Sequence, residues 1–345
     1  MVIDFKSLDF SSLEAKSSFE KEVIDFLKEW TNEKETVPVR TSGSTGTPKI
    51  FEIEKDQMRN SARMTGNFLG LKEADRALLC LPVDFISGKM MVVRSWELGL
   101  KLTVQSPTAF VELGENDKFD FAAMTPLQVE NSLDWLHKIK NLIIGGAGVS
   151  ESLLAKVKIT LDKKNSEDFR VYETYGMSET LSHIALKELY PNRQELFTVF
   201  EGVEISTSSE GALRIKAPKL NSETLQTTDL VELKGEKQFR FLGRLDHVIN
   251  SGGAKLFPEE LEGFVKRHLD IEVVFSSVKD AVLGEKLVAV IEGEFDQVKK
   301  EKLLSLPYAK SYFKPKEVFF LQEIPRTPNG KVSRLQVKEQ LLTDR

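Results

Sequence analysis

Hydrophobic residues recur at helical spacing in the first segment, where Phe19, Val23, Phe26, Leu27 and Trp30 are set among Glu and Lys. A stripe of this kind predicts one amphipathic helix with its apolar face buried. Residues 37–40 lead into a polar loop, and a short strand is expected around 50–53. Asp56 then opens a helix carrying Met58, Ala62, Thr65 and Leu69 on one face, and Gly70 closes it. Short apolar runs at 77–81, 101–104, 121–124, 142–144 and 170–173 follow, separated by helix-length intervals, which predicts a largely parallel α/β layer. From 196 to 242 the spacing tightens, and runs at 196–200, 203–206, 212–216, 230–233 and 239–242 predict closely connected antiparallel strands. Beyond a polar, glycine-rich stretch at 243–253, Pro258 suits the first turn of a helix that continues through Glu259 and Glu260. Strands at 273–276, 286–292 and 318–321 and a helix near 295–304 complete an α+β unit. The expected fold is α/β: a large N-terminal α/β domain with an antiparallel β subdomain (1–245), plus a smaller mobile α+β C-terminal domain (246–345), hinged at Asp246.

A chain of 345 residues exceeds one ordinary core, which agrees with two domains. With 41% hydrophobic and 29% charged residues it falls among soluble globular proteins. Its net charge of −5 gives no argument for nucleic acid or an anionic membrane surface. The lone Cys80 cannot form an internal disulfide and sits in an apolar run, so a buried strand position and a reducing, cytoplasmic compartment are expected. The first ten residues lack an apolar h-region, and the best apolar stretch, 77–88, is broken by Pro82 and Asp84, so neither a signal peptide nor a membrane span is expected. His137, His183, His247 and His268 have no zinc-like spacing. Oligomeric state is left open.

The strongest local signal is Thr41-Ser42-Gly43-Ser44-Thr45-Gly46-Thr47-Pro48-Lys49. Glycines let backbone N–H groups turn toward an anion, hydroxyls add donors and lysine adds charge, so the composition suits a polyphosphate cradle. It is not a Walker A loop, which needs Gly-Lys followed by Ser or Thr at a helix start. The competing reading is a solvated Ser/Thr/Gly linker.

This loop resembles the phosphate-binding motif of the AMP-forming, adenylate-forming superfamily of acyl-CoA ligases, luciferases and peptide-synthetase adenylation domains. The resemblance continues in order along the chain. Tyr175-Gly176-Met177-Ser178-Glu179 is similar to the aromatic-Gly-x-Thr/Ser-Glu segment. Thr227-Thr228-Asp229 is similar to the Thr-Gly-Asp segment, with Thr228 in place of glycine. Gly243-Arg244-Leu245-Asp246 resembles the hinge motif, continued by Ile249-Asn250-Ser251-Gly252-Gly253 and Pro258-Glu259-Glu260-Leu261-Glu262. The segment from Pro325 to Arg334 resembles the catalytic-lysine motif.

The resemblance implies ATP, Mg²⁺ and coenzyme A as cofactors and a small-molecule carboxylic acid as substrate. Lys331 would bridge the acid carboxylate and the α-phosphate, where its compact ammonium serves both as a point charge. Glu179 would bind Mg²⁺, a hard cation that takes few protein carboxylates beside phosphate and water. Ser178 would donate to the α-phosphate, Tyr175 would stack on adenine, and Asp229 with Arg244 would hold the ribose. Rotation about Asp246 would withdraw Lys331 and bring the Gly252–Gly253 loop in to line a pantetheine tunnel.

Relatives carry a long region before the phosphate loop, whereas 40 residues precede Thr41 here. This compact form, with the run from Leu81 to Arg94, looks most like short bacterial o-succinylbenzoate-CoA ligases of menaquinone biosynthesis. Phe85 stands where such enzymes usually carry histidine, and Ser87 follows in the same motif. A keto dicarboxylate offers one carboxylate for activation and a second for recognition, and Lys89 and Arg94 are the candidates for the second. Gly145-Gly146-Ala147 resembles the turn between acyl pocket and adenine. The alternatives are an adenylate-forming ligase for an aryl or fatty acid, and a non-catalytic nucleotide-binding relative.

Overall fold

The computed structural model describes residues 1–40, 50–164, 168–326 and 332–343. The chain begins with β1 (Val2–Asp4) and α1 (Ser18–Thr31), then a hairpin of β2 (Thr36–Arg40) and β3 (Ile50–Glu54), followed by α2 (Lys55–Leu69). A winding segment comes next: β4 (Arg76–Leu79), α3 (Ile86–Leu98), β5 (Lys101–Val104), β6 (Phe119–Met124), α4 (Pro126–Asn131), β7 (Ile139–Ile144), α5 (Glu151–Asp162) and β8 (Arg170–Gly176). Strands β9 (His183–Tyr190), β10 (Phe197–Val199), β11 (Glu204–Thr207), β12 (Ala212–Lys216), β13 (Leu225–Lys234) and β14 (Gln238–Arg244) follow without an intervening α-helix.

One twelve-stranded sheet holds all of these strands except the hairpin, in the order β1-β5-β4-β6-β7-β8-β9-β10-β14-β13-β12-β11. Strands β5, β4, β6, β7 and β8 are mutually parallel, as their spacing by helices requires, and from β8 to β11 every pairing is antiparallel. The antiparallel strands expected over 196–242 are therefore present and extend the parallel ones in a single sheet.

Parallel strands covered by helices on both faces carry almost unbroken apolar sequence. Alternation along β4 shows the two sides: Ala77 and Leu79 join Val23, Met58 and Met90 from α1, α2 and α3, whereas Leu78 and Cys80 join Val129, Leu153 and Val157 from α4 and α5. Cys80 is fully buried and burial pushes its thiol up to about 12, so it is an inert core residue. Strand β9 has no counterpart in the sequence reading. Seven of its eight residues are buried, and a strand buried on both faces shows no period of two.

After β14, a short turn (Leu245–His247) leads to β15 (Ile249–Ser251), β16 (Ala254–Leu256), α6 (Pro258–His268), β17 (Val273–Asp280), β18 (Gly284–Glu292), α7 (Gln297–Ser305), β19 (Glu317–Leu321) and α8 (Arg334–Thr343). These strands form a separate five-stranded sheet. It has its own cores, with Leu261, Val265, Phe275 and Leu303 on one face and Val274, Val290, Val337 and Leu341 on the other. Among the described residues, no helix is long and apolar enough to cross a membrane.

Candidate active site

Open parallel sheets bind ligands beyond the carboxyl ends of their strands, at the point where the strand order reverses. Here that point lies between β4 and β6, since β4 leads on to β5 on one side and β6 to β7 on the other. The expected residues lie along this edge. Beyond β4, the chain turns into α3, whose N-cap Phe85 and first-turn Ser87 are exposed. Beyond β7 come Gly145, Gly146 and Ala147, the latter two exposed. Beyond β8 come Ser178 and Glu179, both exposed. Thr41, Ser42, Gly43, Ser44, Thr45, Gly46, Thr47 and Lys49 lie outside the described residues. Their flanks are joined, because Arg40 pairs with Ile50 at the end of the β2–β3 hairpin.

The corner between β8 and β9 is tightly constructed. Gly176 lies opposite His183, and a Cβ on it would come within 2.4 Å of the Ser182 carbonyl oxygen, so only glycine fits. Leu181 is the centre of a γ-turn with φ of 66°, closed by the Ser182 N–H donating to the Thr180 carbonyl at 2.7 Å. A non-glycine residue in that region carries strain of about 1–3 kcal/mol, of the kind that clusters at functional sites. The turn leaves the Glu179 carboxylate with no ion-pair partner among the described residues. One exposed hard oxygen donor fits Mg²⁺ held mainly through phosphates and water. Among the described residues no group of three or more His, Cys, Asp or Glu side chains forms an all-protein metal cage.

Tyr175, the penultimate residue of β8, is buried with its ring against Phe197, Phe239 and Phe241. Its hydroxyl donates to Asp229 Oδ2 at 2.6 Å. Burial, and then the neighbouring Asp229 charge, raise the phenol above its usual range, so it remains a donor. Asp229 on β13 is the register partner of Arg244 on β14. Arg244 in turn forms a two-pronged pair with Asp246, at 3.0 and 3.2 Å. Tyr175, Asp229, Arg244 and Asp246 thus form one connected group. Thr228, where relatives carry glycine, is exposed and lies outside the left-handed region, so its side chain is accommodated without strain.

Helix α3 keeps Lys89 and Arg94 out of water, since residues 88–95 are all buried. The two cations have different surroundings. Lys89 Nζ donates to the Pro38 carbonyl at 2.8 Å, lies 3.6 Å from Glu29 and sits over the Phe26 ring, tying the β2–β3 hairpin to α1 and α3. Arg94 is 2% exposed and donates through Nε to Thr65 Oγ1 at 3.3 Å and through Nη2 to Ser182 Oγ at 2.7 Å. No carboxylate pairs with it among the described residues, and burial alone pushes its guanidinium down to about 9, still charged at neutral pH. The sequence reading placed Thr65 on a helix face and His183 among histidines without zinc spacing, linked neither to the site, and did not single out Ser182. The available signal was the position of Ser182 and His183 directly after the Glu179 motif.

In the smaller unit, exposed Asp246 lies in the turn between the two sheets. Gly252 and Gly253 have φ of 55° and 82° and close the β15–β16 hairpin, whose two-residue turn requires positive φ at both positions. Lys331 lies outside the described residues. Its flanks meet where Arg326 pairs with Val332. Arg334, at the start of α8, forks onto Glu262 with both contacts at 2.8 Å and lies 3.2 Å from Glu259.

Comparison with known proteins gives a consistent picture. A 2-succinylbenzoate–CoA ligase of Lactococcus lactis is 25% identical over 338 residues, covering 91% of this chain and 73% of that relative. An AMP-forming acyl-CoA synthetase/AMP-acid ligase II-like protein from Dyadobacter fermentans has a solved structure that is 32% identical. It covers 99% of this chain and 100% of its own, with a TM-score of 0.66. The o-succinylbenzoate coenzyme A synthetase of Bacillus subtilis, solved with ATP and magnesium ion, shares the fold at 22% identity and a TM-score of 0.71, covering 87% of this chain and 69% of its own. The family model described as AMP-binding enzyme matches residues 6–201, more than half of the sequence, and the chain belongs to that family.

Proposed function

We propose that this chain is an ATP-dependent acid–CoA ligase and that its acid is o-succinylbenzoate, the substrate named for several of its curated relatives. Arg94 carries the choice of acid. A buried guanidinium without a carboxylate is costly unless a ligand supplies one, and the second carboxylate of a dianionic acid would do so.

In the first half-reaction an oxygen of the succinyl carboxylate attacks the α-phosphorus of ATP, forming a P–O bond as the bond to the pyrophosphate oxygen breaks. Lys331 neutralises the charge that this crowding of anions produces, and the hydroxyl-lined loop 41–49 holds the departing polyphosphate. Glu179 would hold Mg²⁺, which would supply further neutralisation of the phosphates. Tyr175, Asp229 and Arg244 form the nucleoside side of the site, while Phe85, Ser87 and the 145–147 turn border the acyl side. In the second half-reaction the coenzyme A thiolate attacks the activated carbonyl carbon and AMP departs. Residues 246–345 would turn about Asp246 between the two steps, exchanging Lys331 for the Gly252–Gly253 turn. The fully buried single cysteine suits the reducing cytoplasm proposed for this work.

ATP–pyrophosphate exchange over a panel of o-succinylbenzoate, aryl acids and fatty acids tests this reading. Exchange strongest with o-succinylbenzoate, followed by AMP release and thioester formation when coenzyme A is added, is the expected result. Preference for a monocarboxylate would overturn the choice of acid, and ATP binding without exchange on any acid would overturn the ligase itself.

A further inference from the structure

We propose that His183 is a positioning residue for acid selectivity: with Ser182 and Thr65 it fixes Arg94 so that the unused N–H groups of the guanidinium face the second carboxylate of a dianionic acid. This rests on the reading of Arg94 given above.

Thr65 Oγ1 donates its one hydrogen to the Ser61 carbonyl, 3.1 Å away in the preceding turn of α2. With that hydrogen assigned to Ser61, Thr65 accepts from Arg94 Nε at 3.3 Å and from His183 Nε2 at 3.1 Å, and the assignment puts the imidazole proton on Nε2. His183 Nδ1 is then an acceptor and takes the Ser182 hydroxyl hydrogen at 3.2 Å. That leaves the Ser182 oxygen lone pairs for Arg94 Nη2 at 2.7 Å. Donors and acceptors close into a ring spanning α2, α3 and the start of β9, with one tautomer of the imidazole and one direction for each hydroxyl.

The ring demands a neutral imidazole. A proton on Nδ1 would face the Ser182 oxygen and deprive the hydroxyl hydrogen of its acceptor. It would also set a second positive charge beside Arg94, the charged group that faces His183 from α3. From α2 the ring meets the Thr65 hydroxyl, and Phe200 packs edge-on at 5.4 Å. Burial first, and then Arg94, hold His183 well below its ordinary range. Two of the five guanidinium N–H groups are used in the ring, and the other three have no partner among the described residues. Ser182 is half-buried, so the ring reaches the surface of the site beside the Glu179 turn.

The test compares two acids in ATP–pyrophosphate exchange on the full chain: o-succinylbenzoate and 4-oxo-4-phenylbutanoate, which lacks the ring carboxylate. His183→Phe and Ser182→Ala are expected to raise KM for o-succinylbenzoate about tenfold, the effect of stranding one buried polar contact. KM for ATP and for the monocarboxylate should stay near wild type, and His183→Gln, which keeps an N–H toward Thr65, should recover most of the loss. A parallel rise in all three KM values would assign His183 a general structural role and overturn the proposal, as would unchanged discrimination. If His183→Phe does not fold, Ser182→Ala decides. Arg94→Leu separates the two levels: if it leaves the preference for the dicarboxylate intact, the reading of Arg94 fails and the proposal with it. If it abolishes the preference while His183→Phe and Ser182→Ala keep it, only the positioning role fails.

Discussion

The Tyr175 hydroxyl reaches the Asp229 carboxylate at 2.6 Å, joining β8 to β13 across 54 positions of sequence. Two motifs distant in the chain are thereby one rigid unit. Tyr175→Phe keeps the packing against Phe197 and Phe239 and removes only this donor. A net hydrogen bond of about 0.5–1.5 kcal/mol, larger when one partner is charged, predicts a rise in KM for ATP of about three- to tenfold, with KM for the acid unchanged. Exchange kinetics with ATP as the varied substrate check this, and an equal effect on both substrates would contradict the nucleoside assignment.

Gly176→Ala tests the corner itself. The new Cβ would press on the Ser182 carbonyl oxygen at 2.4 Å and on His183 Cα at 2.5 Å, both backbone atoms that cannot swing aside. Strand β9 must move, which predicts a loss of about 1–3 kcal/mol in denaturant unfolding together with loss of exchange activity. Full stability in this variant would mean that the corner can open.

Much of this arrangement was legible in the sequence because its signals are local. The stripe from Phe19 to Trp30 gave α1, Gly70 marked the end of α2 with φ of 66°, and the spaced apolar runs gave the parallel strands. Ordered motifs also marked the residues that follow β4, β7 and β8. What the sequence withheld depends on burial. Helix α3 has no polar face, so nothing in its pattern says that Lys89 supports a hairpin while Arg94 lies without a carboxylate in the interior. The Thr65–His183 contact joins residues 118 positions apart and leaves no periodic trace.

Lys89 and Arg94 should therefore separate in experiment. Lys89→Met keeps an unbranched side chain but removes the ammonium over Phe26, strands the Pro38 carbonyl and leaves Glu29 without this partner. A loss of about 1–3 kcal/mol in stability is expected. The kinetic effect should fall on ATP, because the hairpin carries the 41–49 loop, and a rise confined to KM for the acid would place Lys89 in the acyl pocket instead.

Lys331→Ala separates the half-reactions. Removing one electrostatic group aimed at developing charge costs about 10²–10³ in rate, so exchange should fall by at least that much. Thioester formation from supplied acyl-adenylate should persist near the wild-type rate, since in the proposed cycle the thiol step uses the other face of the smaller unit. Equal loss in both assays would contradict the proposed turn about Asp246.

The neutral state of His183 has a consequence for stability against pH. In the unfolded chain a histidine titrates near about 6.5, whereas burial, and then Arg94, depress the folded value well below this. Below about pH 6.5 the unfolded chain therefore binds a proton that the folded chain refuses, and unfolding is favoured. The contribution is fully present above that pH and is lost as pH falls toward the folded value, at up to about 1.4 kcal/mol per pH unit. Denaturant unfolding between pH 7 and 5 should show a shallower decline for His183→Gln than for the wild type, once its offset at neutral pH is subtracted. Parallel declines would mean that the imidazole accepts its proton in place, against the burial and the Arg94 charge that oppose it.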